Sequence, residues 1–82
     1  MSWYLHGFDK ITEELNQDVR LEGTTPELLR LLHEVLNVDP DDPDVSFVYK
    51  VEGRGLVCLA EYFGVEIQPE RLDYFVHCYR AE

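Results

Sequence analysis

Eighty-two residues carry seventeen Asp and Glu against seven Lys and Arg, a net charge of −10. An excess of this size repels nucleic acid and anionic membranes and favours basic partners, which sets the first two aside as ligands. A chain 45% hydrophobic and 12% aromatic is too rich in large apolar groups for a disordered acidic segment, so one compact domain over residues 1–82 is expected.

The opening Met-Ser-Trp-Tyr-Leu-His has neither the basic nor the apolar stretch of a signal peptide, and no apolar run reaches the ~18–20 residues of a membrane span. A cytoplasmic protein is therefore expected. From Trp3 to Asp9, Trp3 and Leu5 alternate with Tyr4, His6 and Phe8, the two-residue period of a strand. Both of its faces carry large groups, so the strand is expected to be central. Leu15, Val19 and Leu21 alternate with polar residues and predict a second strand, joined to the first by a five-residue connection. Ile11, Leu15 and Val19 also recur at helical spacing, so a helix over 11–19 competes with the hairpin.

Gly23 ends the second strand, and Thr25, Pro26 and Glu27 open a helix. Thr25 is expected to cap it, Pro26 suits its first turn and Glu27 suits the positive end of its dipole. Leu28, Leu31, Leu32 and Val35 form its buried stripe, widened by Leu29 and Leu36. The acidic loop Asp39–Asp44 follows, where Pro40 and Pro43 forbid further helix. Alternation of Val45, Phe47, Tyr49 and Val51 predicts a third strand. A second helix is expected from Gly53 or Arg54 to Phe63, stopped by Gly64 in a left-handed conformation. Leu72–Tyr79 reads as the last strand. The order ββαβαβ predicts an α+β fold: a small antiparallel or mixed sheet of about four strands with two helices on one face. The core is expected to draw on Trp3, Phe8, Phe47, Tyr62, Phe63, Tyr74 and Phe75.

Candidate chemistry is sparse. The loop opens like a calcium-binding loop, but Asp44 takes the place of its glycine and Lys50 that of its bidentate Glu, so no metal is expected there. His6 and His77 lie on strands without a companion nucleophile in sequence, and His33 is expected at the surface. Cys58 and Cys78 sit in apolar runs, where a thiol acts as a small hydrophobe, and no C-x-x-C pair marks a zinc site. Gly53-Arg-Gly55 is too short for a phosphate loop and suits a helix entrance. No cofactor and no enzymatic activity are expected. A stiff acidic loop loses little entropy on docking to Lys and Arg.

Trp3-x-Leu5-x-x-Phe8-Asp9-Lys10-x-Thr12-x-x-Leu15, Leu59-x-x-Tyr62-Phe63-Gly64 and Asp73-Tyr74-Phe75 together resemble a family of short uncharacterised bacterial proteins. Size, acidity and α+β plan are, more loosely, similar to the immunity proteins of bacterial toxin systems, including contact-dependent growth inhibition. That resemblance implies a cytoplasmic inhibitor that binds a basic toxin domain, often a nuclease, and occludes its substrate groove. The carboxylates expected to meet such a partner are Asp39, Asp41, Asp42 and Asp44 in the loop, with Glu13, Glu14 and Glu34. A regulatory or adaptor domain without a toxin is the competing reading, and a small hydrolase or metal-binding protein ranks last.

Overall fold

Alternating apolar residues settle the first element of the computed structural model, which describes residues 2–23 and 25–79. β1 (Ser2–Asp9) and β2 (Leu15–Leu21) form an antiparallel hairpin over the five-residue connection. The competing helix is absent, and Ile11 stands almost fully exposed in the turn. Asp9 organises that turn by accepting the N–H groups of Ile11 and Thr12 at 2.8 and 3.0 Å. These bonds, Thr12 first, hold its carboxyl below the usual range.

α1 (Thr25–Val35), β3 (Tyr49–Val51), α2 (Gly53–Phe63) and β4 (Leu72–Tyr79) complete the order ββαβαβ. The Thr25 side chain expected to cap α1 lies outside the described residues. The four strands form one antiparallel sheet in the order β2-β1-β4-β3, so β1 is central as its two-sided bulk implies. Both helices lie against one face. Trp3, Leu5, Leu21, Val51, Leu72, Tyr74 and Val76 of the sheet share a single buried cluster with Leu28, Leu32 and Leu36 of α1 and Leu56 and Leu59 of α2. Gly64 ends α2 with φ 66°, the left-handed geometry its lack of Cβ permits. Among the described residues, no helix is long and apolar enough to cross a membrane.

Three expectations are corrected. The third strand is only Tyr49–Val51, not Val45–Val51. Val45 adopts φ 51°, a conformation a β-branched residue rarely enters, and Asp42 takes the amides of Ser46 and Phe47 away from any ladder. Phe47 and Tyr62 are 52% and 57% exposed, the first in that non-extended segment and the second on the outer face of α2. Phe8 and Phe75 are half-buried on the sheet face away from the helices. Of the aromatic set, Trp3 and Tyr74 carry the core. Cys58 is exposed on α2 and not buried among apolar neighbours.

Tyr74 is buried with its hydroxyl satisfied: it donates to Gln17 Oε1 at 2.6 Å and accepts from the Gln68 N–H at 2.8 Å. Gln17 Nε2 then donates to the Glu66 carbonyl at 2.7 Å, tying the segment before β4 to β2. The helices are in close contact where Gly55 of α2 meets the last residue of α1, and a Cβ at Gly55 would overlap the Val35 carbonyl oxygen. Gly55→Ala is therefore expected to destabilise the fold by about 1–3 kcal/mol through overpacking. That sign opposes alanine's helix-propensity advantage of about 1 kcal/mol. A urea-unfolding midpoint at or above the parent's would refute the close crossing.

Candidate functional site

The seven carboxylates expected at an interface do not share one environment. Glu13 and Glu14 are exposed in the β1–β2 connection, where Glu13 takes φ 62°. Glu34 lies exposed on α1, and Asp39, Asp41 and Asp44 are exposed in the loop that follows. His33 fastens that loop to the helix, its Nε2 lying 2.7 Å from the Pro43 carbonyl. Asp42 departs from the expectation. It is 3% exposed and spends its carboxylate inside the protein. Oδ1 accepts from the Ser46 N–H at 2.9 Å and the Ser46 hydroxyl at 2.6 Å. Oδ2 accepts from the Phe47 N–H at 2.9 Å and the Tyr49 hydroxyl at 2.8 Å. Asp42 is a loop anchor, so six carboxylates and not seven remain open to a partner.

Burial alone pushes the Asp42 carboxyl up, but the bonds from Ser46, Phe47 and Tyr49 together outweigh it and hold the group far below the usual carboxylate range. Burial, and then the bond to Asp42, raise the Tyr49 hydroxyl in turn. Among the described residues, no group of three or more His, Cys, Asp or Glu is gathered as a metal site.

The more distinctive surface is the sheet face that the helices leave uncovered. β1 sends Tyr4, His6 and Phe8 to this face, and β4 sends Phe75, His77 and Tyr79. The register sets Tyr4 opposite His77 and His6 opposite Phe75, and each β1 ring also meets a β4 ring diagonally. Ring centroids are 5.2 Å apart for Tyr4–Tyr79, 4.4 Å for His6–His77 and 5.8 Å for Phe8–Phe75. These distances suit edge-on or tilted ring packing. An antiparallel sheet with one solvated face usually lines it with polar groups; here two strands line it with rings.

The face grades from closed to open. His6 is 6% exposed and its Nε2 lies 3.1 Å from Asp18 on β2. Tyr79 is half exposed, and Tyr4, His6, Leu15, Asp18 and Tyr79 border a shallow concavity of about 320 Å³. Lys10 lies 3.7 Å from Asp73, and Lys50 stands opposite Phe75. The sequence sets Tyr4, His6 and Phe8 on one side of β1 and offers Tyr4 and Tyr79, with Tyr49, Tyr62 and Tyr74, as a recognition surface, but it does not join the β1 rings to Phe75, His77 and Tyr79. The available signal was the bulk on both sides of β1 and the run of large residues in β4.

Burial lowers the His77 imidazole below its ordinary 6.5, the neighbouring His6 adds to this, and Asp18 partly opposes it. The folded chain thus binds fewer protons than the unfolded chain as pH falls through 6.5. Stability is full above that value and is lost progressively below it, until the folded group also protonates. Urea midpoints measured from pH 8 to pH 5 should fall below pH 6.5, and His77→Phe should flatten that part of the curve. Asp42 acts further down the scale. Its lowered carboxyl contributes stability that is present above the ordinary 3.8 and is lost progressively as pH falls below that value, until the folded group also protonates. Asp42→Asn should lower the melting temperature by several degrees at pH 7, since an amide cannot accept four donors, and should remove this acid-dependent loss. An unchanged melting temperature would show that the loop holds without its anchor.

No curated protein and no solved structure matches the chain. A family model described as a domain of unknown function (DUF7683) matches residues 2–77, nearly all of the hairpin, both helices and the ring-bearing strands, and the chain belongs to that family.

Proposed function

We propose that this chain is a non-catalytic binding domain whose uncovered sheet face docks a basic protein, in the manner of an immunity-type inhibitor that fills a toxin's substrate groove. The observation that carries the proposal is the ring-lined face on a chain of net charge −10. Aromatic faces attract Lys and Arg side chains through their quadrupoles, by ~0.5–2 kcal/mol per contact as water is excluded. Tyr is favoured at interface hot spots. The net charge acts over a longer range, drawing a basic partner in and turning nucleic acid away. A stacking platform for single-stranded nucleic acid would need a positive groove around the rings, whereas Asp18 and Asp73 stand among them.

Roles divide accordingly. Tyr4, Phe8, Phe75 and Tyr79 supply contact, while the exposed Glu13, Glu14, Glu34, Asp39, Asp41 and Asp44 steer the encounter. The domain itself is expected to turn over no substrate.

Partners captured by cross-linking in the producing cell should include a basic protein whose purified form binds the domain directly. Tyr4→Ala with Tyr79→Ala should weaken that binding by about tenfold to a hundredfold, as loss of interface aromatics does. Asp39→Asn, Asp41→Asn and Asp44→Asn together should slow association and flatten its salt dependence while leaving dissociation nearly unchanged. An acidic partner, or binding indifferent to the two tyrosines, would overturn the reading.

A further inference from the structure

The sheet has two edges, and they are unlike. β3 offers only the three residues Tyr49–Val51. β2 offers the seven residues Leu15–Leu21, with no proline among them. Among the described residues, its only strand partner is β1. An edge of this length presents a row of unpaired N–H and C=O groups, which natural proteins commonly protect with charges, prolines or bulges.

The protection here is of an unusual kind. A bulge at the start of β2 skips Asn16, since Gly7 pairs with Gln17 while Phe8 pairs with Leu15. That leaves a regular stretch, Gln17–Leu21, centred on Val19. The exposed charges on its open face are Asp18 and Arg20, of opposite sign and equally spaced about Val19. Like charges would reject a second copy of this edge, whereas this arrangement is self-complementary.

We propose that β2 pairs antiparallel with β2 of a second copy about a two-fold axis at Val19, joining two four-stranded sheets into one of eight strands. In this register Asp18 of each chain stands opposite Arg20 of the other, twice over. Gln17 faces Leu21, and Asn16 faces Glu22. No like charges stand directly opposite one another across the seam. The neighbouring registers fail on chemistry. Centring on residue 18 sets Asp18 against Asp18, and centring on residue 20 sets Arg20 against Arg20 and Asp18 against Glu22. An axis between two residues fails on geometry, because directly opposed residues share a face and adjacent residues do not. The chosen pairing leaves both helix layers on one side and both ring-lined faces on the other. It depends only on the edge strand, so it stands or falls apart from the basic-partner reading.

Two chains of −10 repel, so the pairing is tested where salt limits that repulsion to a Debye length of ~8 Å. Sedimentation equilibrium of the full chain near physiological ionic strength should show a monomer–dimer equilibrium. Arg20→Asp turns both attractive cross-strand pairs repulsive and should weaken dimerisation by ~tenfold or more. Far-UV circular dichroism and thermal unfolding of the same variant should show the fold retained. Asp18→Arg combined with Arg20→Asp rebuilds the pairs in reverse and should restore the dimer. A chain monomeric at every concentration, a dimer indifferent to Arg20→Asp, or a double swap that fails to restore it would each overturn the proposal.

Discussion

The carboxylate of Asp42, with four donors around it, ties the acidic loop to the segment that leads into the third strand. By accepting from Ser46, Phe47 and Tyr49 it turns the chain sharply and holds Val45 in a left-handed conformation. Val45 is fully buried there, and its carbonyl accepts the Trp3 indole N–H at 2.9 Å. The central strand, the loop and the short third strand are thus joined through one charged group. Tyr49 extends the network by accepting the Asp39 N–H at 3.2 Å. A buried carboxylate with four donors is stable only while all four stay in place, so the loop is rigid for a reason other than its prolines.

Around that anchor the molecule separates two kinds of surface. Most exposed acid lies on the loops and helices, where it acts through solvent over distances set by salt. The rings lie on the uncovered face, where they act only on contact. In the proposed binding role, the separation assigns attraction from a distance to one surface and selection at short range to the other.

Much of the fold was legible because local chemistry and tertiary packing agree. Pro26, Gly53 and Gly64 mark helix limits through their backbone properties, and alternation in β1, β2 and β4 gave strands close to those observed. The third strand was misread because Val45, Phe47, Tyr49 and Val51 alternate whether or not the backbone is extended. What interrupts it is a side chain at position 42, which periodicity does not register. Acidity likewise marked Asp42 as a surface residue, since its burial depends on donors brought to it by the fold. The ring-lined face was hidden for a different reason. Alternation assigns Phe75, His77 and Tyr79 to one side of β4, but only the packed structure shows which side the helices cover.

The pairing of Ser2 with Tyr79 and of Asp9 with Leu72 places the first and last strands side by side at the centre of the sheet. Closing so long a stretch of chain costs entropy that is recovered only when both strands are in place, and such non-local pairing slows folding relative to a hairpin. The β1–β2 hairpin can form early, but its inner strand then waits with one side unsatisfied until β4 arrives. During that interval a strand with large side chains on both faces is an open edge, so the time before closure is when the chain is most exposed to aggregation.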